Sequence, residues 1–291
     1  MKQIILLLSL LIFFSSCSNE NSQKEFKIST NSWIGYAPLF YANEKGYLDK
    51  LNIQLFMNVS LAEAAEIFNI GKAQMVTTTQ HEFYSLKNTS PSLIPVILMD
   101  RSNGGDLILS NKTIDELKKA DKIYAYLEID SINAEILKSF IEKNNIDIQK
   151  INFIDQDQAE IQDVSYTTKK PILIVTYVPY DINLKKKGFK EIASTKAIDS
   201  IIVIDALCTT KEFLKQNRTK IQELKKVIDR SIDEIQLHPK NSFELIKGYI
   251  GDMSYQEYLD SLETIKWINK PSKDLLKRIE KLGYKEEYII K

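Results

Sequence analysis

The chain has 291 residues, 44% of them apolar, and its 39 basic side chains balance 39 acidic ones. That length holds two lobes or one large α/β domain, and the balanced charge gives no electrostatic footprint for nucleic acid or an acidic polymer. Two cysteines, Cys17 and Cys208, make no disulfide framework, and His81 and His238 stand in no metal-ligand spacing, so neither a metal nor another cofactor is expected.

The N-terminus reads as a targeting segment. Lys2 supplies a short positive start, and Ile4 to Phe14 is an apolar run too short to span a bilayer comfortably. Ser15-Ser16-Cys17 is a small-residue processing site, and the whole resembles a bacterial lipoprotein signal. That resemblance implies a signal peptide at 1–16, lipid on the Cys17 sulfur and a polar tether at 17–25, with Phe14 where leucine is usual. A plain secretory peptide or an anchor helix is the alternative. With Cys17 lipidated, Cys208 has no partner and reads as a small buried apolar residue.

From Phe26 onward strands alternate with helices. Phe26–Ser29 is a strand that leads into Asn31–Leu48: an aromatic loop turning through Gly35, a helix opened by Pro38, and a stop at Gly46. A helix start beside Trp33 and Tyr36 makes a corner suited to a small polar or anionic group. Ile53–Val59 is the next strand, and Ser60-Leu61-Ala62-Glu63 is a capping box opening a helix that Gly71 ends. The strand Ala73–Thr77 delivers Thr77-Thr78-Thr79-Gln80 to a strand end, where open α/β sheets bind ligands. Either one or two of these hydroxyls face a pocket or the run is plain β propensity. His81 reads as an exposed helix-start residue. Leu93–Met99 is an apolar strand, followed by Asp100-Arg101-Ser102-Asn103-Gly104-Gly105-Asp106-Leu107-Ile108, whose paired glycines permit close backbone approach.

Thr113-Ile114-Asp115-Glu116 is another capping box, and Lys122–Leu127 another strand. Glu128, Asp130, Ser131 and Asn133 follow, opening a helix to about Asn144. Ser131 or Asp130 caps that helix, which leaves Glu128 without a capping role. Ile151–Ile154 is a strand, with Asp155, Gln156 and Asp157 at its end facing the cleft or solvent. Ile172–Thr176 reads as a buried strand running into Tyr177-Val178-Pro179-Tyr180. After a strand at Ile201–Ala206, helices dominate. Thr209-Thr210-Lys211-Glu212 caps a helix that breaks near Asn217, and Ile221, Leu224, Val227, Ile228, Ile232 and Ile235 form one apolar face. Phe243–Tyr249, Ser254–Ile265 and Pro271–Leu282 read as further helices.

Three of these stretches resemble a known family. Trp33-Ile34-Gly35-Tyr36-Ala37-Pro38-Leu39, then Ala42, Gly46 and Leu48, look like the opening motif of ABC-transporter solute-binding proteins of the nitrate/taurine/alkanesulfonate and pyrimidine-precursor type. Asp100 to Ile108 resembles the Asp-x-Ser-x-Gly-(Gly/Ala)-Asp-x-Ile phrase common in that family. Tyr177-Val178-Pro179 stands where the family often has Tyr-Glu-Pro or Trp-Glu-Pro, and Val178 replaces the acidic residue. The resemblance implies an α/β, two-lobed periplasmic-binding-protein type II fold with mainly parallel sheets and a helical C-terminal part. Lobe one is expected at 26–108 and 205–291 and lobe two at 109–204, with hinges near Ser110 and Asp205.

The implied protein is a lipid-anchored monomer, periplasmic or at the cell surface. It captures a small molecule between its lobes and passes it to ABC permease and ATPase subunits, without catalysis. Trp33, Gly35, Tyr36, Thr78, Thr79 and Asp100 are the expected contacts on lobe one, and Glu128, Ser131 and Tyr177 those on lobe two. Asp100 and Glu128 are acidic and Arg101 is the one candidate cation, so the expected solute is neutral or cationic with a flat or apolar part. Two alternatives use the same scaffold. One is a ligand sensor or surface-interaction lipoprotein. The other is a pyrimidine-precursor synthase, an unexported enzyme whose cysteine-rich motif this chain lacks.

Overall fold

A computed structural model describes residues 25–165, 168–196 and 202–291. The expected signal peptide, Cys17 and all of the tether but its last residue lie outside the described residues. The first half runs β1 (Phe26–Asn31), α1 (Ala37–Glu44), α2 (Tyr47–Lys50), β2 (Ile53–Asn58), α3 (Leu61–Asn69), β3 (Met75–Thr78), α4 (Gln80–Thr89), β4 (Leu93–Ser102) and β5 (Asp106–Ser110). There follow α5 (Ile114–Lys119), β6 (Ile123–Leu127), α6 (Ile132–Asn144), β7 (Ile151–Asp155), α7 (Gln158–Ile161), β8 (Ile172–Tyr177), α8 (Asp181–Lys186) and β9 (Lys190–Ser194). The chain closes with β10 (Ile204–Thr210), α9 (Lys211–Leu237), α10 (Pro239–Ile246), α11 (Tyr255–Leu262), β11 (Ile265–Trp267) and α12 (Lys273–Glu280).

The strands form two sheets. The first has the order β11-β4-β10-β3-β1-β2 and the second the order β7-β6-β8-β5-β9. In the first, β1 lies parallel to β2 and β3, whereas β10 is antiparallel to β3 and β4, and β11 to β4. In the second, β6 lies parallel to β7 and β8, and β5 is antiparallel to β8 and β9. Most strands of each sheet therefore share a direction, and the reversed ones are β5, β10 and the edge strand β11. Both sheets are mixed, within the α/β class expected.

The chain changes sheets twice. It leaves β4 through 103–105 and enters the second sheet at β5, then leaves β9 at Thr195 and rejoins the first sheet at β10. Hydroxyls bind the two passages together: Ser102 Oγ and Thr195 Oγ1 are 2.7 Å apart, and Gly104 N–H donates to Thr195 Oγ1 at 2.8 Å. Gly104 sits at φ +118°, a backbone region other residues rarely adopt. The Thr264 carbonyl accepts from both Asn103 N and Gly105 N, at 2.8 and 3.0 Å. This ties β11 to the first passage. It also explains why the helix expected over 254–265 ends at Leu262, with an edge strand following.

Other local expectations meet identifiable partners. Thr113 and Ser254 head complete capping boxes. At Ser60 the hydroxyl accepts from Glu63 N, but the Glu63 carboxylate takes Val59 N instead of the cap's own N–H. The long helix α9 begins at Thr210, whose Oγ1 accepts from Phe213 N at 3.1 Å, and it breaks at Asn217 (φ −123°). Ile221, Leu224, Ile228, Ile232 and Ile235 are buried along its inner face, in the core that also holds Leu39 and Phe40 of α1. Buried Cys208 lies 3.3 Å from Thr78 Oγ1, and burial pushes its thiol up to about 12.

Candidate functional site

A narrow cavity, with room for little more than a water molecule, lies between the two sheets. Asn31, Trp33, Leu61, Thr79, Glu82 and Asp205 line it from the elements of the first sheet. Asp106, Glu128, Ser131, Ile132, Asn133 and Tyr177 line it from those of the second. The strand ends deliver these groups, since Asn31 ends β1, Thr79 follows β3, Glu128 follows β6 and Tyr177 ends β8.

Trp33 is the fixed wall. Its indole N–H donates to both Asp100 carboxylate oxygens, at 3.1 and 3.3 Å. The backbone leaves room for the ring at two glycines. A Cβ on Gly35 would stand 2.0 Å from Asp100 Oδ2 and 2.3 Å from Trp33 Nε1, and one on Gly105 would stand 2.4 Å from Trp33 Cη2. Tyr177 meets Trp33 edge-on, with centroids 5.9 Å apart, and Tyr180 meets Tyr177 the same way at 5.4 Å. Behind the wall, the Tyr36 hydroxyl donates to Asp205 Oδ1. The corner beside Trp33 and Tyr36, expected to suit a polar or anionic group, is thus filled by the chain's own Asp100 and Asp205, which are register partners in β4 and β10.

Carboxyl groups dominate the interior. Asp100, Asp205, Asp106, Glu82 and Glu128 are all buried, and no lysine, arginine or histidine lines the cavity. Arg101 alternates with Asp100 along β4 and is not a lining residue, so it does not serve as the cation of the cleft. Burial pushes the Asp100 carboxyl up to about 8, against the pull of the Trp33 N–H. Burial pushes Glu128 up to about 8 although Gln158 N–H donates to it, and Asp106 up to about 6. Burial, then the neighbouring Asp100, drives Asp205 well above the carboxylate range. Glu82 is raised by burial too, although its Oε2 accepts from Thr79 N and Oγ1, at 2.9 and 2.5 Å.

Side chains of the two halves meet around the cavity. Asn31 Nδ2 donates to the Tyr177 hydroxyl at 3.1 Å, and the Tyr180 hydroxyl donates to the Val59 carbonyl at 3.3 Å. His81 Nδ1 of α4 lies 3.4 Å from Glu135 Oε1 of α6, and this contact raises the imidazole above its usual range. His81 is therefore half-buried against the other half of the molecule and is not simply the exposed helix-start residue that its position suggested.

Of the residues singled out from sequence, Trp33, Thr79, Glu128, Ser131 and Tyr177 line the cavity. Gly35, Tyr36 and Asp100 stand one layer behind, positioning Trp33 and Asp205. Thr78 turns its hydroxyl to Cys208 and not to the cavity. Ser131 also caps α6, accepting from Asn133 N at 3.1 Å. Val178 is buried in the core, away from the lining, so the departure from the family's acidic residue falls outside the cavity. Asn31, Glu82, Asp106, Asn133 and Asp205 were missed as contacts. Glu82 had a readable signal: Thr79-Gln80-His81-Glu82 is a capping-box pattern, and it anchors one carboxylate oxygen while leaving the other.

A family model described as NMT1/THI5 like matches residues 33–242. The chain belongs to this family. The match begins at Trp33, the first residue of the motif that carried the resemblance. Among solved structures, the ligand-binding component of an ABC-type import system from Staphylococcus aureus, with zinc bound, superposes with a TM-score of 0.69 at 15% identity, over 92% of this chain and 97% of that one. The alkanesulfonate-binding protein SsuA from Xanthomonas axonopodis pv. citri, bound to MOPS, gives 0.71 at 10% identity, over 91% and 96%. At such identities the likeness is one of fold, and this NMT1/THI5-like chain has the periplasmic-binding-protein fold. A curated relative, potassium channel K1 of Plasmodium berghei, is 27% identical over 156 residues, 53% of this chain but 7% of that protein's length.

Proposed function

We propose that this protein is the extracytoplasmic solute-binding component of an ABC importer, held at a membrane by lipid on Cys17. The observation that carries the reading is the cavity between the two sheets, lined from both halves by aromatic walls and polar strand ends. Each sheet with its helices forms one lobe, and the passage at 103–105 with the chain at Thr195 forms the hinge between them. Trp33 and Thr79 hold the solute from the first lobe, and Glu128, Ser131 and Tyr177 from the second. Gly35, Tyr36 and Asp100 keep Trp33 in place. Binding draws the lobes together, and the closed surface is what the permease and ATPase subunits recognise. No bond is made or broken.

The test is a thermal-shift screen of the purified protein against amines, heterocycles, sulfonates and nitrate. A solute that binds only the folded state raises the melting temperature by mass action, with about 2.7 kcal/mol of stabilisation at a hundredfold excess over Kd. The expected result is a class of solutes whose shift disappears in Trp33→Ala and which shrinks the radius of gyration in solution scattering. A folded protein that no class stabilises refutes the reading and favours a surface-interaction lipoprotein.

A further inference from the structure

We infer that the cavity takes a small organic cation bearing several N–H donors, a primary ammonium or an amidinium carried on a flat or apolar body. The inference rests on the solute-binding reading above and names its ligand.

The argument begins with atoms that lack partners. Among the buried side-chain atoms with no hydrogen-bond partner are Asn31 Oδ1, Glu82 Oε1, Asp106 Oδ2 and both polar atoms of Asn133. All four residues line the cavity, and each is no more than 4% exposed. Four of these five atoms are oxygens that accept hydrogen bonds, and the Asn133 Nδ2 is the lone donor. A buried acceptor left without a donor costs stability. A solute that satisfies them must bring hydrogen atoms on nitrogen or oxygen.

Charge narrows the choice. Glu82, Asp106, Asp205 and Glu128 converge on one cavity without a basic side chain among its lining residues. An anion would find no positive partner there, and repulsion from each carboxyl that is ionised. A cation supplies the missing counter-charge, and its hydrogen bonds to carboxylates are the strong, charge-assisted kind. Burial holds these carboxyls above their ordinary range, and a cation beside them favours their ionised forms.

A metal ion fits poorly. No group of three or more His, Cys, Asp or Glu side chains able to hold one occurs among the described residues. Leu61, Ile132 and the faces of Trp33 and Tyr177 also call for carbon. Aromatic faces attract cations as well; a ring or short chain enters as the proposed lobes part, with its apolar side against these faces and its donor head toward the carboxyls.

The test holds the body constant and varies the head. Benzylamine, benzamidine, benzyltrimethylammonium, benzyl alcohol and benzenesulfonate are compared by thermal shift and calorimetry on the purified protein. Diaminobutane and guanidinium serve as ring-free cations, and taurine, nitrate and uracil as the other solute classes. The expected result is binding by benzylamine or benzamidine, at least ten-fold weaker in Asp106→Asn and in Glu82→Gln, and unchanged in Glu142→Gln on the exposed side of α6. Asp106→Asn keeps the shape of the side chain, so it reports on charge even where Glu82→Gln disturbs the helix cap. Equal binding by benzyltrimethylammonium overturns the N–H requirement. Binding of benzenesulfonate, taurine, nitrate or uracil without any amine overturns the cation and leaves the solute-binding reading standing. Failure of every cation in a folded sample overturns the proposal, and failure of the remaining classes as well overturns both.

Discussion

Replacing Gly35 by alanine tests the seat of Trp33. The added methyl would lie 2.0 Å from Asp100 Oδ2 and 2.3 Å from Trp33 Nε1, the two ends of the indole–carboxylate hydrogen bond. Gly35 is outside the left-handed backbone region, so the clash is purely one of space. Asp100 lies in the buried β4–β10 ladder, and Trp33 is backed by Gly105, so neither side chain retreats without cost. Overpacking a core costs about 1–3 kcal/mol. Losing the hydrogen bond adds about 1 kcal/mol with a neutral Asp100 and up to about 3 with an ionised one. The expected loss is about 3 kcal/mol. Urea unfolding followed by tryptophan emission measures it, because Trp33 and Trp267 are the two tryptophans of the chain and the Trp267 N–H donates to the Gly35 carbonyl at 2.9 Å. Gly248→Ala is the control: nothing lies within 4 Å of that methyl, and stability should change by less than about 0.5 kcal/mol. If Gly35→Ala stays within about 0.5 kcal/mol of the parent protein, the glycine does not hold the tryptophan against Asp100.

The buried carboxyls give a pH dependence of known sign. Asp100 and Glu128 are raised to about 8 and Asp106 to about 6, so the folded chain keeps protons that the unfolded chain releases above about pH 4. Their stabilisation is complete below about pH 4 and is lost as pH rises through 6 and 8, at up to about 1.4 kcal/mol per group per pH unit. The ligand-free protein should therefore melt at a lower temperature at pH 8 than at pH 5, and the slope should flatten in Asp100→Asn/Glu128→Gln; a flat profile in the parent protein removes the argument. Glu135→Gln should weaken the contact with His81 across the cavity and enlarge the ligand-free molecule in solution scattering, with no effect above the raised imidazole range, where His81 is neutral already. Tyr177→Phe leaves the Asn31 amide without its acceptor inside the cavity and should cost about 1–2 kcal/mol by denaturant titration while preserving the edge contact with Trp33.

The alternation of strands and helices was legible because turn and cap chemistry is local. Thr113, Ser254, Thr210 and the break at Asn217 all announce themselves within a few residues. The short strands were not legible for the same reason. Lys190–Ser194 lacks alternation and is held by β5, and Ile265–Trp267 by β4, both far away in sequence. The site divides in the same way. Trp33, Thr79 and Glu128 sit at strand ends that periodicity can locate. Asp205 and Asn31 enter the cavity only because two sheets face each other, and no spacing within either strand records that.

The Thr264 carbonyl, which receives the N–H groups of both Asn103 and Gly105, bears on protein engineering. Two donors on one oxygen hold the segment just before β11 to the passage between the sheets. The C-terminal segment continues to Ile290, whose N–H donates to the Val96 carbonyl at 2.8 Å. A fluorescent reporter fused at the C-terminus would sit beside that hydrogen bond. A reporter inserted at the exposed Gly251 would leave these hydrogen bonds untouched, and it is the better place from which to follow the proposed lobes.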